Sequence, residues 1–235
     1  MKTARTIATA AALTAATMLV HTEAHADGGD YGLAIIDNQV AVGIGDHDDQ
    51  SISNFGERVF AADMSIAGPN WFADEPGIFI EQGSLPDNTQ VGFTITDALL
   101  YWDGTGPVSF TQAANAMTLS FGPASVATSM GGSPVPGFSL NYDADAPGGF
   151  DEHFDYTIDG SAPTGIYLLA NTFSLTGAAD SDVIYTVFNA GLDEGAHDIA
   201  IDYVENVIVP APGGAALLAL GGLGVATRRR RASTN

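Results

Sequence analysis

"QVGFTIT", residues 90–96, alternates in hydropathy one residue at a time: Val91, Phe93 and Ile95 point one way, Gly92, Thr94 and Thr96 the other. A period of two belongs to a strand with one buried face, because successive side chains leave a strand on opposite sides. "HFDYTID", residues 153–159, repeats the pattern, with Phe154, Tyr156 and Ile158 opposite His153, Asp155 and Thr157. Further β-prone runs fall at 32–36, 39–44, 59–66, 116–121, 165–175 and 183–189. Between them "GPNWFADEPG" (68–77), "GSPVPG" (132–137) and "DADAPGG" (143–149) read as loops, since clustered Pro and Gly break helix and strand alike. Many short strands separated by turn clusters predict an all-β fold, mainly an antiparallel β-sandwich.

One helix breaks the pattern. Asp193 is a plausible N-cap, and Ala196, Ile199, Ala200, Tyr203, Val204 and Val207 follow at helical spacing to make one apolar face. This predicts a short amphipathic C-terminal helix packed on the sandwich.

The two ends read as export signals. Lys2 and Arg5 precede an apolar stretch at 7–20, and Ala24-His25-Ala26 supplies the small-x-small pattern at which signal peptidase cuts. Residues 1–26 are therefore expected to be a signal peptide. At the other end, fifteen residues (213–227) separate Pro212 from Arg228, Arg229, Arg230 and Arg231. As a helix at about 1.5 Å per residue they reach roughly 22 Å, short of a hydrocarbon layer of about 30 Å. The Arg cluster stays cytoplasmic by the positive-inside rule, so the main domain, 27–208, is expected outside. Such a helix suits transient membrane insertion.

Charge is distributed unevenly. Of the seven basic residues only Arg58 lies between these two ends, whereas every acidic residue except Glu23 does, so the central region is more acidic than the whole-chain −21. Such a domain repels nucleic acid and attracts cations; an acidic surface also keeps a secreted protein soluble in salty water. Arg58 is expected to find a carboxylate partner. The chain has no cysteine, which excludes disulfides, thiol catalysis and thiolate metal sites.

The tail, 209–235, resembles a PEP-CTERM sorting signal, the tag handled by exosortase in bacteria of Gram-negative type. Val209-Pro210-Ala211-Pro212 is similar to its Val-Pro-Glu-Pro motif, with Ala211 in place of Glu, and the apolar stretch and Arg cluster follow in the same order. The resemblance implies export, processing near the motif by an exosortase-type enzyme, and delivery to the bacterial cell envelope, its surface or the extracellular matrix.

Candidate ligands are few. His47 sits beside Asp46, Asp48 and Asp49, and His153 lies among Asp151, Glu152 and Asp155. On one strand Asp151, His153 and Asp155 would share a face at about 7 Å intervals. Imidazole with carboxylates could take Zn or Mn, with His47 and Asp48 completing the set; a solvated surface histidine has the same local sequence. Residues 151–168 resemble the motif of a surface-anchored β-domain, the choice-of-anchor M type: His153, Tyr156, Ile158, Pro163, Gly165 and Tyr167 match, and Asp151 stands where the first His belongs. That resemblance implies metal handling. Asn141, Asp143, Asp145 and Glu152 have the spacing of a Ca loop but lack its turn glycine, Ala146 standing there.

No Gly-x-Ser-x-Gly elbow, His-Glu-x-x-His pair or phosphate loop is present. The expectation is a non-catalytic envelope or matrix protein with a cation site. A second reading is a carbohydrate- or matrix-binding module that meets extracellular polysaccharide through Trp71, Phe72 or Trp102. A third is a secreted hydrolase using one of many carboxylate pairs, Asp151 with Glu152 or Asp74 with Glu75 among them.

Overall fold

The computed structural model describes residues 29–209. The signal-peptide reading, with Ala24 and Ala26, and the sorting motif from Pro210 to Arg231 lie outside the described residues; of that motif only Val209 is within them. Among the described residues no helix is long and apolar enough to cross a membrane.

The described residues form an all-β, sandwich-like fold with one short helix, built from three sheets. The first sheet runs β14 (Phe150–Glu152), β7 (Ile78–Ile80), β1 (Asp30–Ile36), β2 (Gln39–Asp46), β3 (Ser51–Ser53). Its β1–β2 hairpin turns on Asp37 and Asn38 at φ of 50° and 64°, residue types that tolerate the left-handed region a tight hairpin requires. The second sheet runs β10 (Thr111–Gln112), β9 (Leu100–Trp102), β16 (Gly165–Leu175), β17 (Ile184–Ala190), β4 (Val59–Asp63). Along β16 one side is shared: its first half pairs β9, its second half pairs β8 (Gln90–Ile95), and β8 carries β13 (Val135–Asn141) at the edge. The third sheet runs β12 (Ala124–Ala127), β11 (Met117–Phe121), β15 (Asp155–Asp159), β6 (Asn70–Ala73), β5 (Ser65–Ala67). Among the described strands pairing is antiparallel except for β1 with β7 and β17 with β4, and an isolated parallel bridge joins Gln39 to Ala179.

The alternation read in the sequence is the core. Val91, Phe93 and Ile95 are buried, as are Phe154, Tyr156 and Ile158, and they join Leu33, Phe173 and Phe188 in one cluster between the sheets. A second cluster lies on the outer side of the second sheet, where α1 (Glu194–Tyr203) presses Ala200 and Ile201 onto Ile166, Leu168 and Val187. Strand β16 records this directly: residues 165–169 are buried on both faces, and strict alternation resumes beyond the reach of the helix.

Three expectations are corrected. The run 59–66 splits at Met64, and its two halves join different sheets. The stretches 68–77 and 132–137 are not wholly loop: β6 forms within the first, and β13 begins inside the second. Pro136 is tolerated because β13 is an edge strand, with a register shift between Pro136 and Ser139. The helix is capped by Asp193, whose side chain accepts from the Ala196 N–H, but its buried face is His197, Ala200, Ile201 and Val204; Ile199 and Val207 are 56% and 62% exposed.

A candidate cation centre at the edge of the first sheet

Asp30 opens β1 and is buried, at 4% exposure. The neighbouring segment 74–77 approaches it before entering β7. Gly77 donates its N–H to Asp30 Oδ1 at 2.7 Å and to Glu75 Oε2 at 3.2 Å, and Tyr31 donates its N–H back to the Gly77 carbonyl at 2.9 Å. His153 arrives from the opposite direction, immediately after β14. Its ring rests on Gly77, where a Cβ would stand 2.8 Å from Asp30 Oδ1 and 3.1 Å from His153 Cγ and Cε1. A side chain here would have to displace the Asp30 carboxylate or the His153 ring. The ligand atoms of Asp30, Glu75 and His153 lie within 4.8 Å of one another.

Both ring nitrogens of His153 face oxygen. Nδ1 is 3.0 Å from the Asp74 carbonyl and 3.4 Å from Glu75 Oε1; Nε2 is 3.2 Å from Asp151 Oδ1. Carbonyls and carboxylates only accept, so both nitrogens are satisfied together when the ring is the imidazolium ion. Burial works against that cation, yet the Asp74 carbonyl and the Glu75, Asp30 and Asp151 carboxylates outweigh it and raise the His153 pKa. Glu75 is pushed up to about 7, first by burial and then by the charge of Asp30, with His153 pulling the other way. Behind the cluster, Tyr156 donates its hydroxyl to the Pro76 carbonyl at 2.9 Å, and the Tyr31 hydroxyl pairs with Thr186. Burial raises both phenols well above their usual range.

The sequence-predicted ligands divide. Asp151 joins His153. Asp155 does not: the chain leaves the first sheet after Glu152 and enters the third at Asp155, so no strand carries both carboxylates on one face. Buried Phe154 anchors the crossover among Phe93, Phe121 and Phe138. His47 and Asp48 pair with each other at 3.3 Å in the exposed β2–β3 turn and are not in the His153 cluster. Asp143, Asp145 and Glu152 do not converge either; Asp143 accepts from the Asp145 N–H, and Asn141 accepts from Gln90. Asp30 and Glu75 supply the cluster instead. Nothing local marks Asp30, which reaches His153 only through the β1–β7–β14 order of the sheet.

Arg58 takes a different partner from the one expected. Its Nε and Nη2 donate to the Val183 carbonyl at 3.0 and 2.9 Å, closing the entrance of the parallel β4–β17 pair. The adjacent Glu57 carboxylate accepts from the Arg58 and Val59 N–H groups. Among the aromatics, Trp102 is buried and donates its indole N–H to the Thr105 carbonyl; Trp71 is half-buried and donates to the Ala162 carbonyl.

No protein-family profile matches the chain, and no curated protein matches it. Solved structures that match include the CooA pilin subunit from enterotoxigenic Escherichia coli, at 10% sequence identity and a TM-score of 0.29, covering 58% of this chain and 92% of that one.

Proposed function

We propose that this chain is an exported, non-catalytic protein of the bacterial envelope or extracellular matrix, and that its acidic β-sandwich holds a divalent cation at Asp30, Glu75 and His153. The observation that carries the cation reading is the convergence of two carboxylates and one imidazole within 4.8 Å at the end of β1, with Asp30 held from the buried side. One nitrogen and two carboxylate donors suit Mn²⁺ or Zn²⁺. The raised Glu75 and His153 describe the same site without metal: protons are held on Glu75 and His153, and a divalent ion binds by displacing them. The reading as an exosortase substrate rests on the tail motif, and the reading as non-catalytic on the absence of a hydrolase signature in the sequence.

Elemental analysis of the purified full chain, with melting curves in the presence and absence of chelator, tests the cation site. Bound Mn or Zn and a lower melting temperature after chelation support it. A metal-free protein whose melting is unchanged by added Mn²⁺ or Zn²⁺ rules it out. Sorting is tested separately by replacing Arg228 to Arg231 in the exporting cell and following the size and location of the product.

A further inference from the structure

We propose that the chain carries a second divalent-metal site, built from His197, Asp63 and Glu194 and distinct from the Asp30–Glu75–His153 centre. The topology assembles it. β4 and β17 run parallel, with Asp63 opposite Asn189 at their carboxyl ends. Just beyond, the Asn189 side chain accepts from the Leu192 N–H at 2.9 Å and donates to the Leu192 carbonyl at 3.1 Å, fixing the turn that launches α1. Glu194 and His197 then stand three residues apart in the first turns of that helix, a spacing that puts both on one face. The ligand atoms of the three residues lie within 4.8 Å of one another.

The decisive observation is the His197 ring, which is fully buried. Its Nε2 lies 3.0 Å from the Val187 carbonyl. A carbonyl only accepts, so Nε2 carries the proton and donates, leaving a lone pair on Nδ1 in the neutral ring. Nδ1 is buried and has no hydrogen-bond partner. It faces the two carboxylates, with Asp63 Oδ1 at 3.8 Å, beyond hydrogen-bond reach. A bare lone pair turned toward carboxylate oxygens is electrostatically unfavourable, and a proton placed there would form an ion pair with Asp63 at 3.8 Å without a hydrogen bond in this geometry. A metal ion answers both problems. One ring nitrogen binds the ion while the other donates to a backbone carbonyl, which is the usual way a ligating histidine has its tautomer and orientation fixed. Two ligands bound at about 2.0–2.1 Å in tetrahedral geometry stand roughly 3.3 Å apart. The observed 3.8 Å therefore closes on an ion with a small movement of Asp63, whose side chain is 61% exposed and free to make it. The positive end of α1 opposes a cation weakly, and the charge of two carboxylates outweighs it. The mixed set of one imidazole and two carboxylates, open to solvent on the carboxylate side, selects a divalent transition-metal ion such as Zn²⁺.

Calorimetric titration of the full chain with Zn²⁺, while the histidine ring ¹⁵N resonances are followed by NMR, tests the assignment. The His197 Nδ1 resonance is expected to move as Zn²⁺ is added. The double variant Asp63→Asn/Glu194→Gln, altered only at exposed side chains and so expected to fold, is expected to bind one Zn²⁺ fewer. In Glu75→Gln the His197 response is expected to persist, so failure of the first-sheet centre and failure of this one are distinguishable. A His197 resonance unmoved at saturating Zn²⁺, or wild-type stoichiometry in the double variant, overturns the proposal.

Discussion

Glu75 Oε1 and His153 Nδ1 stand 3.4 Å apart, and buried Asp30 closes on the same pair from the core side. Glu75 and His153 at this spacing do not titrate independently, and the consequences are measurable.

The first concerns pH. In the fold Glu75 is raised from 4.5 to about 7. An acid whose folded pKa exceeds its unfolded value holds more protons when folded. Its contribution to stability is full below about 4.5 and is lost as pH rises through about 7. His153 is also raised, so its contribution is full below its ordinary 6.5 and is lost at higher pH. The metal-free chain should therefore lose stability from this cluster as pH climbs from 4.5 toward 8. Because many other carboxylates titrate too, the informative quantity is the melting difference between wild type and Glu75→Gln. The advantage of wild type should be larger at pH 5 than at pH 8, and a trend of the opposite sign would contradict the geometry.

The second concerns metal and protons together. A divalent ion entering the Asp30–Glu75–His153 centre displaces protons, so affinity should rise between pH 6 and pH 8. Calorimetry in two buffers of different ionisation enthalpy should report proton release with Mn²⁺ or Zn²⁺. Asp30→Asn keeps an acceptor for the Gly77 N–H but removes a charged ligand. It should weaken binding at this centre about tenfold or more, a loss of about 1.4 kcal/mol. Equal affinity in Asp30→Asn would remove Asp30 from the ligand set.

What the sequence could and could not reveal follows from the range of each signal. Alternation in 90–96 and 153–159 is a local property, so the inward faces of β8 and β15 were legible without knowing their neighbours. His153 and Asp151 are close in the chain and were legible as a pair. Asp30 and Glu75 were not, because sheet order brings them to His153, and the parallel β1–β7 contact leaves no mark in either strand. The sequence places Asp155 beside Asp151 because a strand pattern looks the same whether or not the chain changes sheets at Phe154. Apolar spacing alone turns the helix face toward Ile199 and Val207, because a histidine does not register in an apolar pattern. Once it is admitted to the core, His197, Ala200, Ile201 and Val204 fall at i, i+3, i+4 and i+7, which is the buried stripe observed.

Gly77 offers a third test, independent of charge. Its backbone lies against both Asp30 and His153, and a Cβ there would meet Asp30 Oδ1 at 2.8 Å and two His153 ring atoms at 3.1 Å. Gly77→Ala must push the ring or the carboxylate away. Crowding of this kind costs about 1–3 kcal/mol. Urea unfolding should show that loss, and the His153 ring resonances should shift. A variant with wild-type stability and unchanged His153 resonances would mean that the ring does not rest on Gly77.

The helix supplies the last test, because the sequence reading and the structure make opposite predictions for two isoleucines four sequence steps or fewer from His197. Read from the sequence, Ile199 belongs to the apolar face; in the fold it is 56% exposed, while Ile201 is 3% exposed and packs over the second sheet. Ile201→Ala should cost about 2–4 kcal/mol, since removing a buried side chain forfeits its burial and leaves a cavity. Ile199→Ala should fall within about 0.5 kcal/mol of wild type, as surface substitutions do. Asp193→Ala should cost about 1 kcal/mol through loss of the cap on the Ala196 N–H. The three variants, compared by urea unfolding with a shared slope, decide which face of α1 meets the sheet: a larger loss at Ile199 than at Ile201 would rotate the helix back and carry His197 out of the core.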